Sequence, residues 1–293
     1  MPSARNGDID ITYETTGDPT DPPVLLVHGL GAQLIGWADD WCQRFVDAGR
    51  FVVRFDNRDC GLSTKLAGVR VDLTRVMAAW SGDGAMPEVP YRLVDMADDA
   101  VAVLDDLGIE RADVVGASLG GMIVQTMAIE HPDRVRTLTS IMSTTGEPAF
   151  YESVPEVRAA LLQPVPSDRE GAIAASVARA RSMSSPRWFD PEESAQRAAA
   201  AYDRMFFPEG MLRQTAAIRA SGSRAAALAG LDVPTLVIHG RADTLILPKG
   251  GEHTAATIPG ANLLLVHDMG HDLPRPLRPF LVDTILAHVH GGI

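Results

Sequence analysis

Apolar and polar positions along this chain follow two alternating rhythms. The stretch "DIDITYETTG" alternates apolar with polar residues and ends in turn formers, the signature of an exposed antiparallel strand. "PPVLLVHG" and "RFVVRFDN" are instead short continuous apolar runs, as in strands buried on both faces of a parallel sheet. In "YRLVDMADDAVAVLDDLGI", Leu93, Met96, Ala97, Ala100, Val101 and Leu104 recur at three and four residues, which predicts an amphipathic helix stopped near Gly108. "ADVVGAS" then reads as a strand, "LGGMIVQTMAIEHP" as a helix ended by Pro132, and "VRTLTSIMST" as a further strand. The rhythm returns late, with strands in "VPTLVIHG" and "ANLLLVHD" and a closing helix in "RPFLVDTILAHVH". Such alternation implies right-handed crossovers and an α/β fold with a mostly parallel central sheet flanked by helices.

Two stretches break the rhythm. From 146 to 230 an Ala-, Arg- and Ser-rich segment of helical character reads as an inserted helical cap, dividing the core into 1–145 and 231–293. "LTRVMAAWSGDGAMPEVP", before the Leu93 helix, reads as a loop or short lid extension. Candidate pocket residues from these parts are Trp80, Met183, Trp188, Met205 and Phe206, each with simple packing as its alternative.

Composition narrows the function classes. The chain of 293 residues is 46% hydrophobic and 22% charged, enough to build a sizeable core. A net charge of -12 opposes nucleic-acid binding, because phosphate contacts need clustered Lys or Arg. Cys42 and Cys60 lack metal-like spacing, so neither a disulfide framework nor a bound metal is expected. The N-terminus has no signal-peptide core, and no run approaches the ~18 apolar residues of a membrane span, so a cytoplasmic chain without stable membrane insertion is expected.

Within "GASLGG" a serine stands among three glycines. With 26 Gly in the chain, G-x-S-x-G would arise by chance on the order of one time in ten, so context must carry the reading. Ser118 follows a predicted buried strand and opens a predicted helix, a sharp turn in which side chains at 116 or 120 would strike backbone. A serine nucleophile needs a base and an orienting acid. Asp243 and His271 each lie just past a predicted strand, giving the order Ser, Asp, His at strand carboxyl ends, where open α/β sheets collect their sites. His267 is a rival base, and Asp268 and Asp272 are rival acids lying too near His271 in sequence to orient it easily. The amides of Leu30, in "VHGLGAQ", and Leu119 are candidate oxyanion donors. His28 and Gly29 of the same loop are further candidates for the substrate pocket, with His28 expected to fix the loop by hydrogen bonding.

The set "HGLG", "RFDNRDCGLST", "DMADDAVAVLDDLGI", "GASLGG", "HGRAD" and "DMGH" resembles the α/β-hydrolase superfamily. More narrowly it resembles the aclacinomycin methylesterase type and the mycobacterial LipG-like carboxylesterases. The resemblance implies Ser118 as nucleophile, Asp243 as acid, His271 as base and the Leu30 and Leu119 amides as oxyanion donors. One departure is "VHDMGH", where many relatives have a small or Pro-containing turn before the Gly-His.

The expected activity is hydrolysis of small to medium carboxylic esters through an acyl-enzyme, with a small-molecule ester as partner and no metal or organic cofactor. Lactonase, thioesterase, carbon-carbon hydrolase and perhydrolase chemistry share the same serine. A receptor that captures ligand without turnover is the alternative from another class. Monomer and homodimer both stay open.

Overall fold

The computed structural model describes residues 1–161 and 163–291. Its strands are β1 (Ser3–Asn6), β2 (Ile9–Thr16), β3 (Pro23–Val27), β4 (Phe51–Phe55), β5 (Ala112–Ala117), β6 (Val135–Ile141), β7 (Thr235–Gly240) and β8 (Asn262–Val266). They form one sheet in the order β1-β2-β4-β3-β5-β6-β7-β8. The β1–β2 and β2–β4 pairs are antiparallel and every later pair is parallel. Strands β4, β5 and β7 are buried along their whole length, as their unbroken apolar runs require. The chain steps from β3 outward to β4 on one side and resumes at β5 on the other, so the sheet order reverses between β3 and β5. The crevice beyond the carboxyl ends of those two strands is where this architecture opens for a ligand.

Helices cover both faces. On one side α3 (Leu93–Asp106) and α4 (Leu119–Glu130) pack over a core that includes Val27, Val114, Met122 and Leu138. On the other, α1 (Asp39–Asp47) and α11 (Arg278–Val289) bury Trp41, Phe45, Leu281 and Ile285 against Val24, Val52 and Leu236. Helix α4 is buried from Leu119 to Ala128, consistent with a sequence apolar on all sides. In α3 the buried stripe runs through Val103 rather than Val101, and Asp99 also faces inward, where the Arg58 guanidinium donates to it at 2.6 and 2.7 Å.

Between β6 and β7 the chain forms α5 (Pro155–Leu161), α6 (Arg169–Met183), α7 (Pro191–Arg204), α8 (Glu209–Ser221) and α9 (Ala225–Leu228), and α10 (Lys249–Thr257) joins β7 to β8. Helices α6 and α7 pack on each other, whereas α8 and α9 return to the core through Ala217, Ile218 and Leu228. Residues 73–80, expected as irregular chain, are instead a helix, α2 (Leu73–Trp80). The Asp72 side chain accepts the Arg75 amide at 3.0 Å and Val76 is buried against α8. That contact joins segments far apart in sequence, so local pattern does not announce it. No helix is long and apolar enough to cross a membrane among the described residues.

Candidate active site

Ser118 sits between β5 and α4 with φ 56 and ψ -117, a conformation L-residues rarely adopt. The turn is possible because its neighbours lack side chains: a Cβ on Gly116 would stand 2.2 Å from Gly120 O, and one on Gly120 2.0 Å from Val27 O. Because backbone cannot swing aside, Gly120→Ala is expected to cost about 2 kcal/mol of stability or more. A urea unfolding midpoint equal to that of the parent would contradict this close approach. The strain lifts the serine hydroxyl out of the sheet edge and onto the N-terminus of α4, where helix amides favour negative charge.

His271 Nδ1 lies 2.7 Å from Asp243 Oδ2, and Nε2 lies 2.9 Å from Ser118 Oγ. With the Nδ1 proton donated to the carboxylate, Nε2 is left to accept the serine proton. The other oxygen of Asp243 accepts the amides of Leu245 at 2.9 Å and Ile246 at 3.0 Å. Burial alone would raise the Asp243 carboxyl, but the charge of His271 and hydrogen bonds from His239 and His271 outweigh it and hold the group at about 2. It is therefore ionised throughout the neutral range. His239 is fully buried, its Nε2 2.8 Å from Ile246 O and 3.3 Å from Asp243 Oδ2.

The three residues come from the ends of β5, β7 and β8, and the last turn of α6 with the residues after it ties the last two together. Thr244 Oγ1 donates to Ser182 O at 3.1 Å, the His271 amide donates to Met183 O at 2.7 Å, and Asp272 accepts the Ser185 amide at 3.0 Å. Gly270 has no room for a side chain here, since a Cβ would meet Ser184 C at 2.4 Å. His267 points away: its side chain is 85% exposed and its Nδ1 meets Asp268 at 2.9 Å. Asp268 also pairs with Arg187 at 2.8 Å, leaving Asp243 as the acid in contact with His271 Nδ1.

Facing Ser118 across the β3/β5 reversal is the loop that follows β3. A Cβ on Gly29 would lie 3.2 Å from Ser118 Cβ, so the backbone entering Leu30 runs directly beside the serine. Among the described residues neither the Leu30 nor the Leu119 amide meets a protein acceptor. His28 sits behind this loop, its Nδ1 accepting the Gly29 amide at 2.7 Å and its ring 5.2 Å from that of Trp37. Burial, helped by the nearby Arg197 charge, lowers His28 to about 4, so it stays neutral at physiological pH.

A family model described as the alpha/beta hydrolase fold matches residues 22–274. The chain belongs to that family. This α/β hydrolase is 30% identical to rhodomycin D methylesterase DnrP of Streptomyces peucetius over 98% of its own length and 97% of the relative's. It is also 30% identical to rhodomycin D methylesterase DauP of Streptomyces sp. strain C5, covering 97% and 96% of the two chains. Among solved structures, Est816, described as an N-acyl homoserine lactone degrading enzyme, superposes with a TM-score of 0.70 at 27% identity, covering 98% of this chain and 99% of that one.

Within the hydrolase, the motif "FDNRD" after β4 acts as a brace rather than as chemistry. Asp56 accepts the Leu34 amide at 2.7 Å and pairs with Arg204 of α7 at 2.7 Å. Asn57 donates to His28 O at 3.0 Å, and Asp59 is held at both oxygens by Arg213 of α8, at 2.8 and 2.9 Å. Two glutamines with no sequence signal of their own complete the brace. Gln214 accepts the Gly31 amide at 2.9 Å, and Gln33 donates to the carbonyls of Ala201 at 2.7 Å and Met205 at 2.9 Å.

A cavity of about 160 Å³ lies beyond this loop under α6 and α7, and Met205 and Phe206 are among its walls. The other pocket candidates stand in different contacts. Trp80 stacks on the Arg219 guanidinium at 4.1 Å and meets Tyr151 edge-on, while Met183 offers its carbonyl to His271. Trp188 lies beneath Arg187 at 4.4 Å, His28 is half-buried behind the loop, and Gly29 lies against Ser118.

Proposed function

We propose that this chain is a serine carboxylic ester hydrolase that works through an acyl-enzyme. The observation that carries the reading is the continuous relay from Asp243 through His271 to a Ser118 held at positive φ on a helix N-terminus. In this reading Ser118 Oγ attacks the ester carbonyl as its proton passes to His271 Nε2, and the ionised Asp243 stabilises the resulting imidazolium. The carbonyl oxygen becomes an oxyanion received by the Leu30 and Leu119 amides. His271 then protonates the departing alcohol, and on its return to the neutral form takes a proton from a water that hydrolyses the acyl-serine.

Named relatives support ester hydrolysis in general terms, since two of them are methylesterases covering nearly the whole chain. We read residues 146–230 as the cap that sizes the substrate, with 1–145 and 231–293 as the core. A lactone is a cyclic ester and offers the same carbonyl, so the lactone-degrading neighbour makes lactones a sensible second substrate class.

The test is multiple-turnover hydrolysis of p-nitrophenyl esters from acetate to palmitate. Sustained turnover that is highest for short and medium chains is expected, because the cavity beyond the oxyanion loop is only about 160 Å³. A single stoichiometric burst, or no release, would overturn the esterase reading in favour of a ligand-capturing receptor.

A further inference from the structure

The cavity under α6 and α7 is walled mainly by apolar groups. One stripe of α6, spaced at four and three residues, faces it with Ala172, Ser176 and Arg179, and α7 adds Ala198 and Ala201. Aromatic rings of Tyr202, Phe206 and Phe207 complete the wall. Its volume, about 160 Å³, is enough for a six-membered ring. Gly31 and Gln33 form part of the same wall and lie one and three residues past Leu30, which sets the cavity beside the loop that faces Ser118.

Arg179 brings a positive charge to this lining. Its Nε is buried without a hydrogen-bond partner, and among the described residues no carboxylate pairs with it. Desolvation with no compensating charge lowers its pKa. The carboxylate on the opposite wall, Asp59, does not relieve it. Both Asp59 oxygens are engaged by Arg213, and Tyr91 donates to one of them at 2.8 Å. Arg179 is half-buried, but a guanidinium nitrogen withdrawn from water is normally met by an acceptor, and leaving one unmatched is costly. The guanidinium is also a planar fork suited to donating two parallel hydrogen bonds to one carboxylate.

We propose that this cavity is a substrate subsite for a compact ring or short chain bearing a carboxylate, with Arg179 as the residue that receives the carboxylate. The preferred esters are then half-esters of dicarboxylic acids, anionic at the end remote from the scissile bond. This proposal rests on the ester hydrolase reading, and its test separates the two.

Two measurements decide it. In the first, kcat/KM is compared within matched pairs, monomethyl terephthalate against methyl 4-methylbenzoate and monomethyl adipate against methyl hexanoate. The parent enzyme is expected to favour the anionic member of at least one pair by about tenfold or more, with Arg179→Met erasing the ratio and Arg179→Lys keeping part of it. In the second, calorimetry on Ser118→Ala compares benzoate with its neutral isostere benzamide, with and without Arg179→Met, each variant first shown to unfold cooperatively. Benzoate is expected to bind about tenfold more tightly, and the difference should vanish in the double variant. Equal binding of benzoate and benzamide, or a preference that survives Arg179→Met, would overturn the subsite. Arg179-dependent benzoate binding without turnover of any ester would instead overturn the hydrolase reading and leave the anion site standing.

Discussion

Ser118→Ala is expected to lower ester turnover by on the order of 10⁴-fold or more while leaving a folded protein. The hydroxyl is the group that would bond to the carbonyl carbon, and no neighbouring side chain is placed to replace it. Its loss should be nearly silent for stability, because Oγ makes one hydrogen bond, to His271, and alanine carries no more strain than serine at φ 56. The check is kcat/KM for p-nitrophenyl acetate beside a urea unfolding curve. An activity loss of less than tenfold with an unchanged midpoint would remove Ser118 from the chemistry, whereas loss of both would show only that the turn had collapsed.

His271→Ala should cost a comparable factor, and His267→Ala should change kcat/KM by no more than about twofold. The contrast is sharp because the two histidines lie four residues apart yet have opposite surroundings. His271 is tied at both nitrogens, with a side chain only 7% exposed, while that of His267 is 85% exposed and faces a surface aspartate. Separate substitutions, assayed with the same ester, decide between them. If the His267 variant proved the more damaging, the relay through Asp243 would not be the working one.

Both expectations depend on features that differ in how far they were legible in the chain. The inner parallel strands, the helices α3, α4 and α11, and the turn at Ser118 follow from local pattern, since burial on both faces demands continuous apolar runs and a strand-to-helix turn at positive φ demands small neighbours. Strand ends also placed Ser118, Asp243 and His271 as candidates on one edge of the sheet, in chain order. The helix at 73–80 was not legible, because its buried face exists only against α8.

The rivalries within each candidate role were likewise open until distances were available. Asp268 and Asp272 are as acidic by composition as Asp243, but their oxygens are committed to Arg187 and to the Ser185 and Gly270 amides. The meaning of "FDNRD" was hidden for a similar reason. Each of its polar side chains has at least one partner on a segment distant in the chain, such as Arg213 for Asp59, 154 positions away. Gln214 meets the Gly31 amide across 183 positions, and Arg179 stands out only because no acid comes to meet it. Period and propensity describe what a residue does to its near neighbours along the backbone, so they suffice for elements and for a turn. Hydrogen-bond partners chosen across the fold obey no period, and the assembled packing alone sets which polar groups are matched, which are spare, and what the space between them can hold.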